Sequence, residues 1–244
     1  MVFEICANSV NSCLAAQQGG AQRVELCAGI SEGGTTPSYG EIVTARELLT
    51  IKLHIIIRPR GGDFLYSPTE ISIMERDIHL AREAGVDGVV FGCLTSEGDI
   101  DLSLTKRLMN ASEGLSVTFH RAFDQCRHPL QALEQLIDLG CNRILTSGQQ
   151  PTAEQGIPLI KQLIEQANER IIILPGSGIN ENNIKRIAEE TGAGEFHFSA
   201  REPISSGMKY YNPAINMGAS TQDEYTQYVT TANRVRETIN KLRK

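Results

Sequence analysis

Two short phrases of the sequence each combine a carboxylate with a thiol. "FEIC" spans Phe3–Cys6 and "VELC" spans Val24–Cys27. Glutamate and cysteine stand two residues apart in both phrases, so in a β-strand both side chains point to the same side. Thiolates are soft ligands that favour Cu(I) and Zn(II), and a buried carboxylate needs a partner. The phrases therefore predict either a thiolate metal site or a buried cluster of polar groups.

The elements that must position these residues follow from the periodicity of the chain. Short β-branched runs alternate with longer amphipathic segments, and repeated β-α units with short connections predict a parallel sheet. Eight units in about 200 residues favour a closed (β/α)8 TIM barrel over an open sheet. The predicted strands are Val2–Ala7, Arg23–Ala28, Lys52–Arg58, Gly88–Cys93, Leu115–His120, Arg143–Ser147, Arg170–Leu174 and Glu195–Ser199.

The chain shows no linker and no change of composition that would divide it. We therefore expect one domain over residues 1–244. The segment Pro203–Gln222 is polar and rich in glycine, serine and asparagine, which predicts a long excursion after the last strand. A C-terminal helix near Asp223–Leu242 is expected to follow it.

In a barrel, alternate strand residues face the helices or the interior, and the layer that faces the helices must be apolar. This alternation sends the polar residues of strands one, two, three and five inward. Buried charges need partners, so we expect a network that pairs around Arg58 or the histidines. The alternative is a polar core that only neutralises itself. The residues expected inside are Glu4, Cys6, Glu25, Cys27, His54, Arg58 and His120.

Active sites of this fold lie at the carboxyl ends of the strands. Arg58 and His120 come late in their strands, and "HRAFDQC" then places Asp124 at the rim. If the protein is an enzyme, His120 or Glu25 would be its general acid or base. The catalytic candidates are His120, Arg58, Glu25 and Asp124.

Three loops at the same end have the composition of an anion site. "RPRGGDF" follows strand three, "PGSGI" follows strand seven, and "FSA" ends strand eight. Many enzymes of this fold hold a substrate phosphate with backbone amides of the loops after strands seven and eight. The alternative is that the glycines only permit tight turns. The predicted anion-binding residues are Arg60, Gly61, Gly62, Gly176, Ser177, Gly178, Ser199 and Ala200.

The two thiols are predicted to lie close together. Adjacent parallel strands are about 4.8 Å apart, and Cys6 and Cys27 occupy equivalent positions on strands one and two. Two sulfurs in line suit Cu(I), while addition of His120 or a carboxylate would also suit zinc. The alternative is that both cysteines merely fill space as small apolar residues.

The overall composition excludes some functions. A net charge of -6, with lysine and arginine scattered along the chain, gives no indication of nucleic-acid binding. The sequence contains no uninterrupted run of about 18 apolar residues, so no membrane span is predicted. The six cysteines never form C-x-x-C, and the first residues lack a signal-peptide pattern. We therefore expect reduced thiols in a cytoplasmic protein.

Several segments of the sequence closely resemble the CutC family of copper homeostasis proteins. The resemblance implies a (β/α)8 barrel, a cytoplasmic location, a role in copper handling, and a homodimer or larger homo-oligomer. Copper binding in relatives is attributed to two interior cysteines, and these match Cys6 and Cys27, so Cu(I) is the implied cofactor. The segments are "FEICANSVNSCLAAQQGGAQRVELCA", "EGGTTPS", "IIIRPRGGDFLYS", "VTFHRAFD" and "ILTSGQ".

Two functions remain open from the sequence. The first is a cytosolic copper homeostasis protein that binds Cu(I) through Cys6 and Cys27. The second is a TIM-barrel enzyme that acts on a small anionic or phosphorylated metabolite. Two arginines, a histidine and a phosphate-type loop around the barrel favour the second, because a copper buffer has no need of them. Copper at an active-site thiol would reconcile the two.

Overall fold

A computed structural model describes residues 1–212, 214–215 and 225–243 of the chain. Eight parallel strands form one sheet in the order β7-β6-β5-β4-β3-β2-β1-β8, and a parallel bridge between Gly176 and His197 joins its two edges. The predicted (β/α)8 barrel is therefore confirmed. Its strands are β1 (Val2–Ala7), β2 (Arg23–Leu26), β3 (Lys52–Ile56), β4 (Gly88–Phe91), β5 (Ser116–Phe119), β6 (Arg143–Thr146), β7 (Ile172–Pro175) and β8 (Glu195–Phe198).

Helices connect the strands and cover the outside of the barrel. The start of the third helix is encoded locally, because Ser67 and Glu70 form a reciprocal capping box and Pro68 occupies the first turn. None of the helices in the described ranges is long and apolar enough to cross a membrane. The helices are α1 (Val10–Gly19), α2 (Tyr39–Leu48), α3 (Pro68–Glu83), α4 (Leu102–Ala111), α5 (Pro129–Asp138), α6 (Ile157–Ala167), α7 (Ile184–Thr191) and α8 (Ala232–Asn240).

The strands separate apolar from polar side chains as their alternation predicts. Phe3 and Ile5 of β1 are buried in the apolar cluster, and so are Val24 and Leu26 of β2. The residues between them are buried too but polar, beginning with Glu4, which has no exposed surface. The barrel therefore has an apolar layer against the helices and a polar interior.

Gly176 has a structural role where β7 meets β8. A Cβ atom at this position would lie 2.5 Å from a side-chain carbon of Leu145 and 3.3 Å from the imidazole of His197. Since such a contact is far too close, only glycine lets the two strands approach here. Close packing therefore accounts for this glycine.

The segment after β8 differs from the prediction. Two further strands, β9 (Arg201–Ser205) and β10 (Thr226–Thr230), pair as an antiparallel hairpin. Strand β9 covers the start of the expected excursion, and β10 lies where the first turns of the C-terminal helix were expected. Helix α8 therefore begins only at Ala232, with Thr231 as its N-cap. Residues 213 and 216–222 of the predicted excursion, and 223–224 of the predicted helix, lie outside the described residues.

A buried ionic cluster lies inside the barrel near the ends where the strands begin. Arg23 bonds the carboxylate of Glu4, and its Nη2 lies 2.6 Å from Glu195 Oε2. Arg143 Nε reaches the same Glu195 oxygen at 2.9 Å. Of the two partners predicted for the interior carboxylates, Arg58 is therefore wrong, whereas a histidine does take part, since His197 Nδ1 lies 2.7 Å from Glu4 Oε1. Arginines at the first positions of β2 and β6 neutralise the acids, because they lie at the same end of the barrel.

Removing Arg23 should strongly destabilise the fold. In an Arg23→Ala variant two buried carboxylates each lose one of their cationic partners, so we expect the free energy of unfolding to fall by about 3–5 kcal/mol. Arg170 is the matched control, because its pair with Glu134 is roughly half exposed, and Arg170→Ala should cost at most about 1 kcal/mol. Urea unfolding measures both values. Equal losses in the two variants would contradict the assignment.

Candidate functional site

A cavity of about 560 Å³ opens at the carboxyl ends of the strands. Its wall combines interior strand residues with the loops that follow strands three, five, seven and eight. Active sites of this fold lie at this end, and the volume is that of a small-molecule site. The chemistry-bearing side chains that line it include Cys6, Glu25, Cys27, Arg58, His120, Asp124, His197, Arg201 and Arg234.

The two thiols of the repeated phrase meet in this cavity. The sulfurs of Cys6 and Cys27 are 4.0 Å apart, and neither cysteine is in a disulfide. The prediction of equivalent positions is wrong, because Cys6 pairs with Glu25 and Cys27 lies two residues beyond that partner. Barrel strands are staggered in this way by the shear of the closed sheet. The sulfurs still meet because both side chains point inward.

The surroundings of the two thiols shift their pKa values in opposite directions. A hydrogen bond with Cys27 lowers the pKa of Cys6 well below the ordinary value, and the positive charges of His197 and Arg201 add to this effect. The same hydrogen bond, together with burial, raises the pKa of Cys27 well above its ordinary value. Cys6 is therefore the thiolate of the pair and Cys27 the proton-bearing thiol.

A carboxylate–imidazole cluster lies next to the thiols. Nδ1 of His197 is 2.7 Å from Glu4 Oε1 and 3.6 Å from Glu25 Oε2. Burial raises the pKa of Glu25 to about 8, so this carboxyl holds a proton at neutral pH. Burial also opposes ionisation of Glu4, but Arg23 and His197 overcome it and hold the pKa of Glu4 well below its usual range.

His197 is a central site residue that the sequence analysis did not identify. Burial alone would lower its pKa, but Cys6, Glu4 and Glu25 together raise it well above the ordinary value. The signal was present in "EFHF" of β8, where Phe196 and Phe198 pack outward and the histidine must point inward.

Two sets of metal-ligand atoms occur in the described part of the interior. Cys6, Glu25 and Cys27 bring their ligand atoms within 4.8 Å of one another, and so do Glu4, Glu25 and His197. In the second set Glu4 is already neutralised by Arg23. The first set offers two soft sulfurs that line the open cavity, which is the donor set that favours Cu(I).

His120 presents a hydrogen-bond donor to the cavity. Its Nδ1 accepts a hydrogen bond from the backbone amide of Ala122 at 3.2 Å. Burial lowers the pKa of His120 to about 3, and the charge of Arg58 adds to this, so the ring is neutral and its proton sits on Nε2. That nitrogen is buried and has no hydrogen-bond partner in the described structure.

Arg58 is held by backbone carbonyls instead of carboxylates. Its Nη1 donates to Glu32 O at 2.6 Å and Gly34 O at 2.9 Å, and its Nη2 donates to Gly62 O at 2.7 Å. The guanidinium stacks 5.1 Å from the centre of the Phe64 ring. Its Nε is buried and unpartnered within the described ranges. The loop after β3 thus fixes this arginine at the cavity wall.

The predicted anion-binding residues divide into two groups. Arg60 points away from the cavity, since its Nε lies 2.5 Å from Glu70 Oε1 and its Nη2 lies 2.9 Å from Asp63 Oδ1. The loops after β7 and β8 do reach the cavity. The residues that line it are Ser177, Gly178, Ser199 and Ala200, whereas Arg60, Gly61, Gly62 and Gly176 do not.

Asp124 lines the cavity, but its oxygens are engaged in the protein. Arg121 Nε donates to Oδ2 at 2.7 Å, and the hydroxyl of Thr146 donates to Oδ1 at 2.5 Å. The amides of Ser147 and Gln149 bind the same carboxylate. Asp124 therefore ties the loop after β5 to the loop after β6.

Comparisons with known proteins agree with this geometry. Residues 1–202 match the sequence model of the CutC family. A family protein CutC of Bacteroides thetaiotaomicron is 68% identical over 99% of this chain and 98% of its own length. The Copper homeostasis protein cutC homolog of Homo sapiens is 51% identical over 100% of this chain and 89% of its own length. The crystal structure of a CutC protein of Streptococcus agalactiae superimposes with a TM-score of 0.79 at 38% identity, covering 82% of this chain and 98% of that one.

The buried imidazole of His54 should make the fold sensitive to acid. Burial lowers its pKa to about 4, and its Nδ1 is 3.9 Å from Glu4 Oε2, too far for a hydrogen bond. In the unfolded chain the pKa returns to about 6.5. Below about pH 6.5 the unfolded state binds a proton that folded His54 does not, so protons favour unfolding. The free energy of unfolding therefore falls progressively between about pH 6.5 and about pH 4.

We expect His54→Asn to reduce the loss of unfolding free energy between pH 7 and pH 4.5 by about 2 kcal/mol. The exposed His79 supplies a matched control, because His79→Asn should leave the pH profile close to that of the parent. Urea unfolding over this pH range measures the profiles. A His54→Asn profile parallel to that of the parent would show that this group does not cause the acid sensitivity.

Proposed function

Because the chain belongs to the CutC family, we propose that it is a copper homeostasis protein that binds Cu(I) through Cys6 and Cys27. The observation that carries the proposal is the pair of free sulfurs 4.0 Å apart at the wall of an open cavity. A metal–thiolate bond is about 2.3 Å long. One ion lying between the two sulfurs would therefore contact both.

The charges around the pair support a monovalent soft ion. Two thiolates and one Cu(I) carry a net charge of -1, and the cationic His197 and Arg201 lower the cost of placing that charge in the interior. Cys6 already favours the thiolate form. Cys27 must release its proton when the ion binds, so affinity should rise with pH.

We propose a cytoplasmic location, where free thiols remain reduced. We also propose a homodimer or larger homo-oligomer. Support for self-association comes from apolar side chains on the hairpin and the residues beyond it that face solvent: Ile204 is 44% exposed, Tyr211 is 59% exposed and Tyr228 is 51% exposed. Apolar surface of this kind is typical of protein–protein contacts.

Copper loading tests the thiolate site directly. Reduced protein titrated anaerobically against a chromogenic Cu(I) chelator should bind about one ion per chain at the two-sulfur site, and Cys6→Ser/Cys27→Ser should lose it. Cys141→Ala is the control, because this buried cysteine contacts Met109 and does not line the cavity. If the double variant binds Cu(I) as the parent does, the assigned ligands are wrong.

A second candidate function is an enzyme that acts on a small anionic or phosphorylated metabolite in the same cavity. The observation that favours it is Glu25, a protonated carboxyl with a pKa of about 8 that lines the cavity. General acids and bases work best when their pKa is near the operating pH. Glu25 would transfer the proton, and His120, whose proton sits on Nε2, would donate a hydrogen bond to a substrate oxygen.

If Glu25 moves a proton to or from carbon, the transfer can be followed without knowing the substrate, because deuterium on carbon does not wash out into water. In D2O, incubation with a bacterial small-molecule extract should introduce deuterium into one phosphorylated compound, as detected by mass spectrometry. Glu25→Gln should abolish this exchange, because the amide cannot accept a proton at neutral pH. Glu97→Gln, at an exposed surface position, should exchange like the parent. Exchange that persists in Glu25→Gln would contradict the role of Glu25.

A further inference from the structure

The guanidinium of Arg201 lies at the cavity wall. Arg201 begins β9 and lines the cavity, and its side chain makes no hydrogen bond or ion pair with any described residue, although its charge acts on Cys6. Arg234 lines the same wall but is engaged, since its Nε lies 3.4 Å from Glu181 Oε2 and its Nη1 donates to the carbonyl of Arg201 at 2.7 Å. The free guanidinium of Arg201 is therefore available to a ligand.

Backbone donors accompany this guanidinium. The amides of Gly178, Ile179, Ser199 and Ala200 lie in the loops after β7 and β8, outside helices and strands, and none donates a hydrogen bond within the described structure. All four residues line the cavity. Free amides at these two loops are the arrangement with which this fold binds phosphate groups.

Two more unpaired donors are deeply buried at the wall formed by β3 and β5. Nε2 of His120 and Nε of Arg58 have no hydrogen-bond partner among the described residues, although the two residues are only 4% and 5% exposed. Buried donors without a partner are rare and call for an acceptor. In the closed barrel, β3 and β5 lie on the other side of the mouth from β8. The cavity therefore presents donors at two ends.

Two carboxylates of the cavity wall are already engaged within the protein. Asp124 is bound by Arg121, Thr146 and the loop after β6. Glu181 pairs with Arg234. With these two carboxylates engaged, the guanidinium of Arg201 and the unpaired nitrogens of His120 and Arg58 match a ligand rich in acceptors.

We propose that the cavity binds a small phosphate monoester that carries a second oxygen acceptor. Its phosphate would lie on Arg201 and the four free amides of the loops after β7 and β8. Its carbonyl or carboxylate oxygen would lie against His120 Nε2 and Arg58 Nε. A phosphate is preferred to a carboxylate at the first end, because it offers three strong acceptor oxygens to one cation and four amides. The volume of about 560 Å³ admits a metabolite of this size.

This inference rests on the second candidate function for its biological meaning and names the substrate class of that site. Binding itself requires neither copper nor turnover. Phosphate binding without deuterium exchange would contradict the enzyme proposal alone. Deuterium exchange without phosphate binding would overturn this inference alone.

The test uses reduced, metal-free, full-length protein with assigned amide resonances. Titration with inorganic phosphate should produce saturable shifts of the amides of Gly178, Ile179, Ser199 and Ala200 in 1H–15N spectra. 2-Phosphoglycolate, which adds a carboxylate, should bind at least about tenfold more tightly, since a charge-assisted hydrogen bond adds affinity. His120→Phe should remove that advantage and keep the binding of inorganic phosphate.

Arg201→Gln should weaken phosphate binding at least about tenfold. Arg236→Gln is the matched control, because it removes the same charge from α8 at a position outside the cavity, and it should bind phosphate as the parent does. Thermal unfolding of both variants checks that the fold is intact. Equal phosphate affinity in Arg201→Gln and Arg236→Gln, or shifts confined to amides outside the cavity, would overturn the proposal.

Discussion

The burial of Glu4 is the constraint on which the interior of this barrel depends. Its carboxylate has no exposed surface, so the fold must supply positive charge to it. Arg23 and His197 do so, and Arg23 also binds Glu195, which Arg143 binds in turn. These contacts join β1, β2, β6 and β8 across the interior. The arginines and glutamates of the ionic cluster therefore balance each other's charge inside the barrel, near the ends where the strands begin.

The same constraint separates the roles of the two glutamates in the repeated phrase. Glu4 pairs with Arg23 and makes the shorter of the two contacts with His197, so it is ionised. Glu25 shares only the longer contact, and its burial is resolved by a proton. His197 keeps its charge because it faces Glu4, Glu25 and Cys6. A thiolate, a protonated carboxyl and an imidazolium thus lie together at the cavity, where they suit either a soft metal ion or proton transfer.

Much of this arrangement was predictable from local patterns. Alternation along β1 and β2 placed both glutamates and both cysteines inside, and the spacing of eight runs indicated the barrel. The capping box of α3 is explicit in its sequence. The hairpin of β9 and β10 was missed, because its strands lie 20 residues apart and only their pairing identifies them. That pairing also brings Arg201, a residue without any motif, to the cavity.

The sequence alone determined which side chains face inward, because strand period and apolar burial are local properties. It did not determine which of them pair. Arg58 and Arg23 are both interior arginines, yet one binds backbone carbonyls and the other binds carboxylates. The stagger of the closed sheet decides this, since it sets the height of each residue along the barrel axis. The protonation of Glu25, the ionisation of Cys6, the unpaired donors of His120 and Arg201, and the meeting of the sulfurs all depend on that three-dimensional placement.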